Sequence, residues 1–154
     1  MSEKFKEQYL KVQKKYALPS FEQLDQEFDL GSLEENSLPL RQVRKRISEV
    51  LESFVNILEN IMHPESSISG LYECKILDDQ QKELLFSSYR QIMRMLRYSL
   101  EIELKSSEEQ DAVFIRDTFK LWPQIKKSLL PFIIKLKESW EKESVSQEDL
   151  GYLG

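Results

Sequence analysis

Residues Leu84 to Leu104 form a helix-favouring run that is apolar around more than half of its circumference. At about 100° per residue, Leu84, Leu85, Phe86, Tyr89, Ile92, Met93, Met95, Leu96, Leu100, Ile102 and Leu104 cover an arc of roughly 200°. The remaining narrow face carries Arg90, Arg94, Arg97 and Glu101. One apolar stripe suffices for a surface helix, so an arc this wide calls for neighbours on two or three sides. The run is predicted to be the central helix of an α-helical bundle.

The rest of the chain agrees with a helical reading. Its 154 residues suit one domain and can bury a real core. Gly 4 and Pro 5 are few, while Leu, Glu, Lys and Gln, all good helix formers, are plentiful. The prediction is an all-α, single-domain helical bundle of about five to six helices around a central helix at residues 79–105. Residues 1–143 form the domain, and 144–154, which lack periodicity, read as a flexible C-terminal tail.

Helical spacing and end signals divide the domain. Phe5, Tyr9, Val12 and Tyr16 mark a helix over Ser2–Tyr16. Ser20 with Gln23 makes a capping box for a short helix through Phe28, with Gly31 as its stop. Pro39 opens a long helix to Met62, whose core face is Leu40, Val43, Ile47, Val50, Leu51, Phe54, Val55, Leu58, Ile61 and Met62. Pro64 closes it. Residues 65–77 read as a linker anchored by Leu71, Tyr72 and Ile76, and Asp78 or Asp79 caps the central helix. Ser107 with Gln110 caps another helix, to about Leu121. Beyond it, apolar spacing persists through Trp122, Ile125, Leu129, Ile133, Leu136 and Trp140 despite Pro123 and Pro131. Each proline removes an intrahelical hydrogen bond. Two shorter helices and one twice-bent helix both satisfy this pattern, and both tryptophans read as core.

The run KKYALPSFEQLDQEF, with LYEC in the linker and WPQIKK later, resembles a set of small all-helical archaeal proteins of unknown function. The resemblance implies a cytoplasmic helical protein and carries over no functional residue.

Several function classes lose their basis in the sequence. Cys74 is a lone cysteine, so no internal disulfide can form and thiols are too few for a structural zinc site. No Glu-x-x-His pair or Gly-rich phosphate loop occurs, so no metal or cofactor is expected. The longest apolar run, Leu129 to Ile134, contains Pro131 and falls far short of the roughly 20 residues that cross a bilayer. The amino-terminal MSEKFKEQY lacks an apolar signal core. No membrane association and a cytoplasmic location are expected.

Charge placement supplies the candidate sites. Arg41, Arg44, Lys45 and Arg46 crowd the first two turns after Pro39, where the helix macrodipole disfavours each cation by roughly 0.3–1 kcal/mol. Either a bound anion compensates them, or the acidic segment from Glu22 to Glu35 folds back on them. Arg44 lies inside the apolar arc of its helix, and Glu103 falls in line with Leu85, Ile92 and Leu96. If the two helices run antiparallel, Arg44 and Glu103 form a partly buried ion pair. A second basic stripe, Arg90, Arg94 and Arg97, presents one face, although Glu101 can pair with Arg97. Nucleic acid is not the favoured partner, because the net charge is −5 and no exposed aromatics interleave with the arginines.

Nucleophilic catalysis would require Cys74 with His63 as its base, but an inert packed thiol and a helix-ending histidine explain both more simply. Leu150, Tyr152 and Leu153 in the acidic tail could dock into a partner's groove. The favoured function is a non-enzymatic interaction or assembly module with a protein partner, homo-oligomerisation included. A nucleic-acid or phosphate binder using residues 39–62, and an enzyme using Cys74, are the alternatives.

Overall fold

In a computed structural model describing residues 3–65 and 67–142, the protein is all-α. The described helices are α1 (Glu3–Tyr16), α2 (Phe21–Phe28), α3 (Pro39–Met62), α4 (Ile68–Ile76), α5 (Asp79–Lys105) and α6 (Glu108–Trp140), with a 3₁₀ turn at Leu30–Ser32. No strand occurs among the described residues, and no helix there is long and apolar enough to cross a membrane. The tail residues Leu150, Tyr152 and Leu153 lie outside the described residues. The chain divides into two compact units. One takes residues up to Glu52 together with Met93–Trp122; the other takes Ser53–Ile92 together with residues from Pro123 onward.

In the first unit, α1 and α2 meet through rings. Phe5 and Tyr9 are fully buried and pack on Phe21 at centroid distances of 6.3 and 5.9 Å. The Tyr9 hydroxyl donates to the Pro19 carbonyl, which ties the connection between the helices to α1. Ser20 caps α2 through the Gln23 amide, and the Gln23 side chain reaches back to the Ser20 amide. The helix ends at Phe28 as expected, but Asp29 rather than Gly31 caps it. Asp29 adopts the left-handed conformation at φ 53° and donates its amide to the Asp25 carbonyl. Asp tolerates that region better than most residues, because its short polar side chain bonds locally. Phe28 then packs 5.6 Å from Trp122, whose indole donates to Glu27. Leu40, Val43, Ile47 and Leu51 of α3 are buried in this unit, as are Ala112, Phe114 and Ile115 of α6. Full burial of a Leu, Ile or Phe side chain stabilises by about 1.5–3 kcal/mol.

The second unit contains a helix where a linker was expected. Ser67 caps α4 by accepting the Gly70 amide, and Tyr72 is buried with its hydroxyl on the Ser139 carbonyl at 2.9 Å. The segment is short and has almost no apolar periodicity, so tertiary packing rather than pattern makes it a helix. Leu71 and Ile76 are only half-buried. Trp140 is 41% exposed rather than core: it lies on Tyr72 at 4.3 Å and donates to Glu73. Pro123 and Pro131 both sit inside one helix, α6. Buried Trp122, Ile125 and Leu129 carry the apolar stripe past the first proline, and Leu136 carries it past the second.

The apolar arc of α5 is narrower than its sequence suggests. Leu85, Ile92, Met95, Leu96 and Ile102 are buried, but Leu84, Phe86, Leu100 and Leu104 are exposed, Leu104 at 90%. Ser88 and Ser99, small polar residues, are buried on the same stripe instead. The 3–4 spacing of positions 85, 88, 92, 95, 99 and 102 outweighs side-chain polarity in choosing that face.

Gly70 is the tightest point of the second unit. A Cβ there would meet the Asn60 side-chain oxygen at 2.6 Å and the Asn60 carbonyl at 2.8 Å. Backbone cannot move aside as a flexible side chain can. Gly70→Ala should therefore lower the unfolding free energy by about 1–3 kcal/mol, despite alanine's better helix propensity. A urea melt showing an unchanged or raised midpoint would rule out this close approach.

Candidate functional site

The predicted basic cluster is assembled in the first unit by three helix ends. At the end of α5, Ser106 takes the left-handed conformation at φ 52°, with its amide on the Ile102 carbonyl. Ser107 then caps α6 by accepting the Gln110 amide. This tight turn sets Ser99 and Glu103 of α5 beside Asp111 of α6, facing the first turns of α3.

Arg44 is the hub, with its side chain 3% exposed. Its Nε donates to Asp111 Oδ1 at 2.6 Å, and its Nη1 donates to the Ser99 hydroxyl at 2.6 Å and carbonyl at 3.0 Å. Its Nη2 donates to Glu103, which also accepts from Arg41 and has Lys45 Nζ at 3.6 Å. Ser48 completes the network, bonding to the Arg44 carbonyl and the Ser99 hydroxyl. Asp111 at the start of α6 is where the macrodipole favours an anion, and Arg44 reaches the Ser99 carbonyl and Glu103 toward the end of α5, where it favours a cation.

The Arg44–Glu103 pair expected from the misplaced charges is thus present, but Asp111 is the more buried partner and sequence spacing did not reveal it. Residue 111 sits in the first turn of its helix, where an acidic residue reads as ordinary dipole complementation. The acidic segment reaches only the edge of the cluster. Asp29 takes Arg46, which also pairs with Glu49, whereas Glu22 and Glu35 pair with Lys6 and Lys4. On α5, Arg90, Arg94 and Arg97 are exposed, and Glu101 pairs with Lys105 rather than with Arg97.

Titration follows from the geometry. Hydrogen bonds from Arg44 first and Arg41 second hold the Glu103 carboxyl down to about 2. Burial pushes Asp111 up against the opposing pull of Arg44.

The second unit contains a groove that no local apolar pattern marks. It has a volume of about 640 Å³ and opens between the last turns of α3, the start of α4 and the first half of α5. Asn56, Glu59, Asn60 and Met62 line it from α3, His63, Glu65 and Ser67 from the connection that follows, and Phe86 and Tyr89 from α5. Phe86 is 50% exposed and stacks on Tyr89 at 5.9 Å with an interplanar angle of 23°. The Tyr89 hydroxyl donates to Glu59 Oε1 at 2.7 Å, so a carboxylate is tied to the edge of a two-ring platform. Asn60 donates to Ser67 Oγ at 3.2 Å, which holds the groove's floor to the α4 cap. Both rings fall within the apolar arc of α5, so periodicity does not separate exposed Phe86 and half-buried Tyr89 from the core. Glu59 and His63, four residues apart across the end of α3, are the signal the sequence offers.

Cys74, the candidate nucleophile, is half-buried on α4 and does not line this groove, whereas His63 does. No group of His, Cys, Asp and Glu that could hold a metal occurs among the described residues. No protein-family model matches the chain, and no curated protein or solved structure is significantly similar to it. The resemblance to small helical archaeal proteins therefore rests on the quoted residues alone.

Two outcomes are expected for the cluster. Arg44→Met strands the Asp111 carboxylate in a buried site and should cost about 3–5 kcal/mol of stability at neutral pH. The double variant with Asp111→Leu should recover much of that loss in the same urea melts. Separately, the depressed Glu103 pKa means that its stabilising share is full above the ordinary carboxylate range and is lost as pH falls toward about 2. The stability gap between the wild type and Glu103→Gln should accordingly shrink through that window. A gap that stays constant with pH would show that the ion pair contributes nothing.

Proposed function

We propose that this protein is a non-enzymatic binding module that receives a segment of a partner protein in the groove of its second unit. The observation supporting this reading is the half-exposed, stacked Phe86–Tyr89 pair in a groove of about 640 Å³. That volume lies within the usual range of ligand sites, about 300–1,000 Å³. Exposed aromatic rings flanked by polar side chains are also the common anchors of protein interfaces. Asn56 and Asn60 add side-chain amide groups that can hydrogen-bond an extended backbone.

The cations at the start of α3 favour a structural role over the phosphate-binding alternative. Arg41, Arg44 and Lys45 converge on Glu103 and Asp111, and Arg46 is paired with Asp29 and Glu49.

Selection of a random phage-displayed peptide library against the full-length protein tests the module. Titrating enriched peptides into isotope-labelled protein should shift amide resonances of Asn56, Glu59, Asn60, Phe86 and Tyr89. Phe86→Ala should weaken binding by about tenfold or more, as for a hot-spot aromatic. Shifts that cluster elsewhere, or equal affinity for the Phe86 variant, would refute the assignment.

A further inference from the structure

We infer that the occupant of the groove is an arginine side chain of the partner, its guanidinium lying on the Phe86–Tyr89 platform and forked onto Glu59. This rests on the groove being the binding surface proposed above, and adds the chemistry of what it binds.

Charge complementarity is the first argument. Among the described residues lining the groove are the carboxylates of Glu59 and Glu65, but no lysine or arginine. Both carboxylates stand at the carboxyl-terminal end of α3 or just beyond it. The macrodipole there carries partial negative charge and disfavours further anions. A cation entering the groove relieves both effects, whereas a phosphate or an acidic peptide would worsen both.

The shape of the platform selects among cations. The Phe86 and Tyr89 rings stack with their planes only 23° from parallel, and the Tyr89 hydroxyl holds the Glu59 carboxylate at the ring edge. That hydrogen bond uses Oε1, and a carboxylate offers about four lone-pair sites, so acceptor capacity remains for an incoming donor. A guanidinium is planar and weakly hydrated, and can stack on a ring face while its edge donates two N–H groups to a carboxylate. An ammonium can make either contact but cannot match both planes. Half-exposed Phe86 leaves ring surface accessible to a cation, and a cation–π contact there strengthens as the bound partner excludes water.

The test uses three capped pentapeptides, identical except for arginine, citrulline or lysine at the centre. Each is titrated into the labelled full-length protein at low salt. Citrulline keeps the shape of arginine and removes its charge. The arginine peptide should bind at least about tenfold more tightly than the citrulline peptide, a difference of about 1.4 kcal/mol. It should also outbind the lysine peptide and shift the Glu59, Phe86 and Tyr89 resonances.

Glu59→Gln keeps an acceptor for the Tyr89 hydroxyl and should reduce the arginine peptide to the citrulline level. Asn56→Lys, at an exposed lining position, places a fixed cation in the groove and should suppress the arginine peptide independently. Unchanged thermal melts would confirm that both variants fold. Equal binding of arginine and citrulline peptides, or insensitivity to Glu59→Gln, overturns the inference. If library-selected neutral peptides still map to the groove and depend on Phe86, the binding module stands and only its arginine preference falls. If the selected peptides map elsewhere, both fall.

Discussion

The Arg44 guanidinium is the constraint on which the first unit depends. A cation this buried must have its donors met, because each polar group removed from water without a partner costs more than an ordinary hydrogen bond returns. Arg44 meets that demand with Asp111, Glu103 and both oxygens of Ser99. These partners come from the last turns of α5 and the first turn of α6, so the turn at Ser106 and Ser107 must close as it does. Sliding α3 by one residue would rotate Arg44 out of reach of them. The apolar contacts of Leu40, Val43 and Ile47 tolerate such a slide better than a directional network does. The network thus contributes more to register than to net stability, since a buried ion pair roughly offsets its own desolvation.

The same helix carries opposite charge problems at its two ends. Cations stand at the amino terminus of α3 and carboxylates at its carboxyl terminus, the reverse of what the macrodipole favours at either end. At the first end the protein supplies its own counter-charges. At the second, Glu59 has a tyrosine hydroxyl, a neutral donor that orients the carboxylate without neutralising it. This asymmetry separates the self-neutralised cluster from the groove carboxylate and supports the binding role proposed for the latter. It also reverses the emphasis that sequence alone would place on the arginines.

Much of the framework was legible from the chain. The bounds of α3, the capping box at Ser20 and Gln23, and the cap at Ser107 follow from local chemistry. So does the pairing of Arg44 with Glu103, because a charge inside an apolar stripe must find an opposite charge nearby. Local rules also explain why Pro39 begins a helix: its missing amide is one the first turn would leave unpaired anyway. Helix α4 was not legible, since its nine residues have too little periodicity to fold unaided. Nor was the persistence of α6 through Pro123 and Pro131, where packing of Trp122, Ile125, Leu129 and Leu136 offsets lost hydrogen bonds.

The sequence by itself determined that the chain is helical, where its long helices begin and end, and that Arg44 and Glu103 belong together. Those are consequences of backbone geometry and of the cost of an unpaired charge, both readable over a few turns. Only the tertiary structure decided which apolar residues of α5 face outward. Periodicity defines the width of an arc but not which neighbours arrive to cover it. Phe86 was therefore indistinguishable from Leu85 in the sequence, although one is half-exposed in a groove and the other is buried. The tertiary structure likewise brought Asp111 to Arg44 and Glu59 to Tyr89, across 67 and 30 residues of chain. Contacts at such separations depend on how helices dock, and no local pattern encodes that.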